Sequence, residues 1–315
     1  MPNSHESYHL TDHVLWLRDA PKDFTPIWYV EHFWQKNGLN FMYGAPKSHK
    51  SMLRRYLLAC AMLGEPAFEM LEVGEPIERA LIFLAEDHPG FERQQLDRLC
   101  SEFGKPALKD RVCLVKSHGF LLTYSKMRDE LFKFLDTEQF DWISFDPLIR
   151  FHTSDENDAT EMSNVIRVME ALKMEHGVGC VHHTGKGSTW GMTTGQKARG
   201  SSTIPGAADV SIHLERIGKT PEHLIEFESK SIKELEKLTV VLDEDTLLWS
   251  RQQKVTDDDV LQLIHGNPGM MSKSVAEVLN LSTSMTSRLC NALEKAGKLH
   301  HEVGKRGAKH YFTTT

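Results

Sequence analysis

Leu39-Asn-Phe-Met-Tyr-Gly-Ala-Pro-Lys-Ser-His-Lys-Ser51 decides how the rest of this chain is read. Leu39 to Tyr43 is a short apolar run, the mark of a buried strand. It stops at Gly44, and Met52 to Leu63 has the apolar spacing of a helix. Strand, tight loop and helix are the setting in which a loop holds phosphate. The loop itself, Gly44-Ala45-Pro46-Lys47-Ser48-His49-Lys50-Ser51, follows G-x-x-x-x-G-K-[ST] with histidine at the second glycine. Backbone N–H groups and the helix dipole favour an anion at such a helix start. Lys50 is placed to reach β- and γ-phosphates and Ser51 to ligate Mg²⁺, so Gly44 to Met52 are expected to line a nucleotide. His49 puts a side chain where backbone normally crowds the phosphates. Taken alone the stretch also fits a turn with no ligand.

The chain has 315 residues, 40% hydrophobic and 26% charged, which suits a soluble globular protein of about two domains. No apolar run approaches the ~20 residues of a membrane span. Met1 to Ala20 lacks a signal pattern. Cys60, Cys100, Cys113, Cys180 and Cys290 are widely spaced without C-x-x-C pairing, so neither a disulfide framework nor a zinc site is indicated. The cytoplasm is the expected location. Net charge is -7, against a generally basic nucleic-acid binder, yet residues 254–315 carry eight Lys/Arg and six Asp/Glu.

Residues 1–37 read as a lead-in with one amphipathic turn or helix around Ile27 to Trp34. Ala80 to Ala85, Val112 to Val115, Asp141 to Asp146 and Val178 to His182 read as further strands. Phe91 to Phe103, Ser125 to Leu135 and Thr160 to His176 read as the helices between them. This alternation implies a parallel, doubly wound α/β sheet over residues 38–250, with ligands at the carboxyl ends of the strands. Runs from Val210 to Trp249 suit an antiparallel extension, and residues 251–255 a linker. Residues 185–200 are Gly/Ser/Thr-rich and read as a mobile loop.

The strand ends carry the chemistry. Asp146 closes a buried strand and is the candidate metal-orienting acid, on a strand expected beside that of the P-loop. Glu86 closes another and is the candidate base or orienter for attacking water, ahead of Asp87. His182 and His183 are adjacent on a strand, point to opposite faces and so do not chelate one ion together. One is expected to pack inward and the other to touch the phosphate or its water. Arg199 follows the loop and is a candidate arginine finger toward a neighbouring subunit, with Lys197 and Lys230 as rivals. Each acid, histidine or arginine also fits an ordinary structural role.

In order, G-x-P-K-x-x-K-S, Ala-Glu-Asp, Phe-Asp-Pro-Leu, Asp155-Glu-Asn-Asp158, His-His-Thr-Gly-Lys and Arg-Gly-Ser-Ser resemble the RepA-type branch of RecA-like P-loop ATPases over roughly residues 38–215. The resemblance implies a ring, typically a hexamer, with ATP at subunit interfaces, single-stranded DNA in the channel, and replicative helicase activity in plasmids or phages. It places Lys50 and Ser51 at the phosphate and Mg²⁺ positions, Asp146 at the metal-orienting acid, Glu86 at the catalytic glutamate and His183 at a sensor position. It puts Lys186 and Lys197 in a loop that contacts DNA. Arg199 stands where a trans-acting arginine is plausible, without a unique match. His49 departs from the pattern and puts the turnover rate in question.

Residues 256–315 resemble a winged helix-turn-helix. Thr283, Ser284, Thr286, Ser287 and Arg288 open the expected recognition helix, and Lys305 and Arg306 tip a basic wing where phosphates are touched. Many such domains dock proteins instead. The leading expectation is an ATP-hydrolysing, ring-forming motor on single-stranded DNA, with duplex DNA as a further partner through the winged helix. The alternatives are a recombinase- or loader-type ATPase that does not unwind DNA, and a nucleotide-sensing DNA-binding regulator.

Overall fold

Strand β3 (Leu39–Gly44) is buried along its whole length because both faces of its sheet are covered. Leu39, Phe41 and Tyr43 enter one apolar layer and Met42 the other. That explains why the run reads as continuously apolar rather than alternating. The computed structural model describes residues 15–20, 22, 25–116, 119–184, 203–231, 237–252, 255–279, 281, 283–304 and 308–314. The expected mobile loop, with Lys186, Lys197 and Arg199, and the wing tip, with Lys305 and Arg306, lie outside the described residues.

Parallel to β3 run β4 (Ala80–Leu84), β5 (Val112–Lys116), β6 (Trp142–Asp146), β7 (Gly177–His183) and β8 (Val210–Arg216). The antiparallel strands β9 (Glu222–Ser229), β10 (Leu238–Leu242) and β11 (Trp249–Arg251) extend the sheet beyond β8. The spatial order is β11-β10-β9-β8-β3-β7-β6-β4-β5. Helices α1 (Lys50–Leu63) and α2 (Pro89–Glu102) cover one face, and α3 (Ser125–Thr137) and α4 (Ala159–Leu172) the other. Asp158 caps α4 by accepting from the N–H groups of Thr160 at 2.7 Å and Glu161 at 3.0 Å. The core is a RecA-like P-loop α/β fold.

In the larger unit two expectations are corrected. Asp146 does not lie on the neighbour of β3, because β7 is inserted between β3 and β6. Spatial order is set by where the α4 crossover returns, which element succession does not encode. Residues 27–34 form no helix. They build a hairpin of β1 (Trp28–Val30) and β2 (Trp34–Gln35), turned through His32 at φ 65°. Trp28, Tyr29 and Val30 are strand formers, and the hairpin lays its aromatics on the sheet.

Trp142 on β6 is where that hairpin seats. Trp34 stacks on it at 4.2 Å between centroids and Tyr29 meets it edge-on at 5.9 Å. The indole lies over Gly177 and Gly179 of β7, and a Cβ at Gly179 would come within 2.2 Å of the ring.

Residues 253–315 form a separate compact unit. Its described helices are Asp257–Gly266, Ser272–Val278 and Thr283–Lys295. Strands β12 (Met270–Met271), β13 (Leu299–Val303) and β14 (Lys309–Thr313) pair in the order β12-β14-β13. Val260, Ile264, Val275, Cys290, Leu293, Leu299 and Tyr311 make its core. Thr256 and Asp259 form a reciprocal capping box at the first helix. Thr286, expected among the contacting residues, is fully buried. It shares the inward face with Cys290 and Leu293, at i+4 and i+7. Arg288 is exposed. No helix among the described residues is long and apolar enough to cross a membrane.

Gly179→Ala is expected to destabilise the larger unit by roughly 1–3 kcal/mol, since the methyl displaces the Trp142 indole from a packed layer. Denaturant unfolding followed by tryptophan fluorescence checks this, and an unchanged midpoint would show the indole free to move.

Candidate functional site

Because the strands are parallel, their carboxyl ends share one edge, and the candidate residues sit along it in register. Gly44 pairs with His183 and Leu84 with Asp146, and the Ala85 N–H donates to the Asp146 carbonyl at 3.2 Å. The loop that follows β3, His183 on β7, Asp146 on β6 and Glu86 just beyond β4 therefore follow one another along this edge, with Lys50 at the head of α1 returning its ammonium to the end of β3.

The loop after β3 is shaped by backbone conformation. Lys47 and His49 both adopt left-handed angles, φ 62° and 65°. Gly44 admits no side chain, because a Cβ there would lie 2.6 Å from Ser48 Oγ and 2.7 Å from the Leu214 carbonyl. Lys50 is buried, and its ammonium donates to the carbonyls of Gly44 at 2.9 Å and Ala45 at 2.7 Å. Burial lowers its pKa to about 8, against the pull of Asp146 and Glu86. Both carboxylates thus act on one buried cation.

Three features fit a triphosphate. Ser48 Oγ is buried with no hydrogen-bond partner among the described residues. The first turn of α1 has no side-chain cap, so its N–H groups, those of Ser51 and Met52 among them, are available to an anion. The Lys50 ammonium is held at the mouth of the loop. Ala45, Pro46 and Lys47 are exposed, whereas the Met52 side chain packs toward the core and offers only its backbone. Ser51 Oγ donates to Asp146 Oδ1 at 3.0 Å, which pairs two hard oxygen donors of the kind Mg²⁺ takes.

His49 is committed elsewhere. Its Nδ1 lies 3.1 Å from Nε2 of His223, whose own Nδ1 sits 2.9 Å from the Pro221 carbonyl. A carbonyl only accepts, so His223 Nδ1 carries the proton, Nε2 accepts, and His49 Nδ1 donates. Burial, and then Arg216, lowers the pKa of His49; burial lowers that of His223 to about 4. The pair is neutral and ties the loop to β9.

His182 is 1% exposed, with Nδ1 3.6 Å from Glu156 Oε1, so it is the inward member of its pair. His183 is half-buried, and burial followed by the charge of Lys50 lowers its pKa. Glu86 is half-exposed and accepts from Arg150 Nε at 3.2 Å. Lys230, a rival for the arginine-finger role, bonds the Ala207 carbonyl and pairs with Asp209.

A group absent from the sequence reading joins this edge from behind. Arg54 Nε donates to Asp146 Oδ2 at 2.8 Å and its Nη2 to Glu92 Oε1 at 2.7 Å. Arg55 Nε donates to Glu92 Oε2 at 2.6 Å, and Arg55 also bonds Asp87. Glu92 is 0% exposed. The available signal was Arg54-Arg55 inside the apolar run Leu53 to Leu63, since arginines on a core-facing helix require carboxylate partners.

A family model described as an AAA domain matches residues 4–189. The chain belongs to that family. The AAA domain is similar in fold to the crystal structure of the RadB recombinase, at 14% identity and TM-score 0.50, over 69% of this chain and 91% of that one. It is also similar to a second solved structure, described as an ATPase domain, at 8% identity and TM-score 0.51, over 68% of this chain and 85% of that one. No curated protein matches the sequence.

Lys50 gives the AAA domain a pH signature. The amine is charged below about 8 and neutral above it, and phosphates bind the charged form and raise its pKa. Nucleotide affinity is expected to fall as pH rises through that value, approaching roughly tenfold per unit, with proton uptake on binding. Calorimetry in buffers of different ionisation enthalpy measures the uptake, and its absence near pH 8 would show that Lys50 is not the phosphate ligand.

Proposed function

We propose that this protein is an ATP-hydrolysing, ring-forming motor on single-stranded DNA, the RepA-type replicative helicase of a plasmid, phage or other mobile element. The observation that carries the reading is the single edge on which Lys50, Ser51, Asp146, Glu86 and His183 meet. Membership of the AAA domain family supports ATP as the nucleotide, and the fold shared with a recombinase supports action on DNA.

In this reading the N–H groups of the loop and of α1 bind the β- and γ-phosphates. Lys50 leaves the Gly44 and Ala45 carbonyls and follows the phosphate charge. Ser51 and Asp146 would hold Mg²⁺, which neutralises phosphate charge during transfer. Glu86 releases Arg150 and orients the attacking water, accepting its proton. Neutral His183 hydrogen-bonds near the γ-phosphate and passes the nucleotide state to the segment that follows β7. Lys186 and Lys197 in that segment contact single-stranded DNA, and Arg199 reaches the neighbouring subunit's nucleotide in a hexameric ring. The domains are a lead-in over 1–37, the ATPase over 38–250 and a winged helix over 256–315. The winged helix touches duplex DNA through Arg288, Lys305 and Arg306. The similarity to the RadB recombinase favours, as a second reading, a DNA-dependent ATPase that coats DNA without unwinding it.

A strand-displacement assay with ATP is expected to show unwinding that Lys50→Ala abolishes, together with ATP turnover, while circular dichroism shows an intact fold. Single-stranded-DNA-stimulated ATPase without unwinding would reject the motor in favour of the second reading. Turnover retained in Lys50→Ala would show that the loop does not bind the reacting phosphates.

A further inference from the structure

Asp146 uses both carboxylate oxygens, and it uses them differently. Oδ1 accepts from Ser51 Oγ at 3.0 Å, at the start of α1. Oδ2 accepts from Arg54 Nε at 2.8 Å, one helical turn further on. Arg54 is 2% exposed, and its other arm is fixed by Glu92, which is 0% exposed and whose second oxygen is taken by Arg55. A buried arginine with both arms on carboxylates has one orientation, and it imposes one on Asp146. Removal of one partner from such a network is costly, so the arrangement is stiff.

We propose that Arg54 is a positioning residue for Asp146. It occupies Oδ2, so that Oδ1 alone, beside Ser51, is presented to a divalent cation, and Glu92 keeps Arg54 in that pose. The proposal rests on the reading of Asp146 as the metal-orienting acid. It adds that turnover depends on how this carboxylate is aimed, beyond the charge it supplies. Arg55 is the internal control. It is buried to the same degree and bonds the same Glu92, but it does not touch Asp146.

Aim and charge predict opposite movements. Arg54→Gln removes a cation from beside Asp146, so the carboxylate attracts a divalent ion at least as strongly. The carboxylate is also free to turn, so catalysis weakens. In the full chain with a non-hydrolysable ATP analogue, Mn²⁺ binding followed by electron paramagnetic resonance is expected to be unchanged or tighter in Arg54→Gln. ATP turnover at saturating Mg²⁺ is expected to fall roughly 10–100-fold. Arg55→Gln also breaks buried pairs, with Glu92 and Asp87, but leaves Arg54 on both Asp146 and Glu92, so it is expected to lower the denaturant midpoint while Mn²⁺ binding stays at wild type and turnover falls far less than in Arg54→Gln. Arg54→Lys keeps the charge but not the two-armed fork, so wild-type Mn²⁺ binding with intermediate turnover is expected, and this variant carries the test if Arg54→Gln does not fold. Equal losses in Arg54→Gln and Arg55→Gln, or Mn²⁺ binding that weakens along with turnover, would reduce the network to packing. Wild-type Mn²⁺ binding in Asp146→Asn would instead overturn the metal-site reading itself, whatever the arginine variants do.

Discussion

A buried ammonium at the end of an apolar strand is the constraint on which this structure rests. Lys50 is taken out of water by the helix it begins, and burial of an unpaired cation is prohibitive. Its charge is met by the carbonyls of Gly44 and Ala45 and by the field of Asp146 and Glu86. Those carboxylates are within reach because the sheet is parallel and its strands all end at one edge. Gly44 is bare because any side chain would strike Ser48 and the Leu214 carbonyl. Loop shape, strand direction and the choice of acids at the strand ends are thus parts of one electrostatic arrangement.

The arrangement is stiff on one side and loose on the other. Behind Asp146, Arg54, Arg55 and Glu92 bind the second turn of α1 to the first turn of α2 with charges that water barely reaches. Such networks hold geometry more than they add stability. In front, Glu86 is held by an arginine pair that is more than half exposed on both sides. An exposed pair contributes little and is readily given up. In the proposed motor, this lets the carboxylate that aims a cation stay fixed while the one that meets water moves. His49 belongs to the stiff side, since its ring is bonded to His223 on β9 rather than left free in the loop.

The parallel core was legible because burial on both faces writes itself as uninterrupted apolar runs closed by Gly44, Glu86 and Asp146. The position of β7 between β3 and β6 was not, because chain order does not state where a crossover lands. The hairpin at Trp28 to Gln35 was hidden because aromatics spaced along a short segment satisfy either period, and its strands of three and two residues are too short to show alternation. Thr286 was misplaced because polar residues at a helix start suggest exposure, whereas its spacing to Cys290 and Leu293 puts it inside. That Arg54 needs carboxylate partners was readable from its place in an apolar run, but their identity was not, since only the packing of α2 and β6 against α1 brings Glu92 and Asp146 to it.

The most direct test is a crystal structure of the full chain with a non-hydrolysable ATP analogue and Mn²⁺, whose anomalous scattering locates the ion independently of the refined protein. The account predicts Mn²⁺ against Ser51 Oγ and Asp146 Oδ1, with the Lys50 ammonium withdrawn from Gly44 and Ala45 onto the β- and γ-phosphates. An ion elsewhere, or a nucleotide that leaves Lys50 on its two carbonyls, would contradict it.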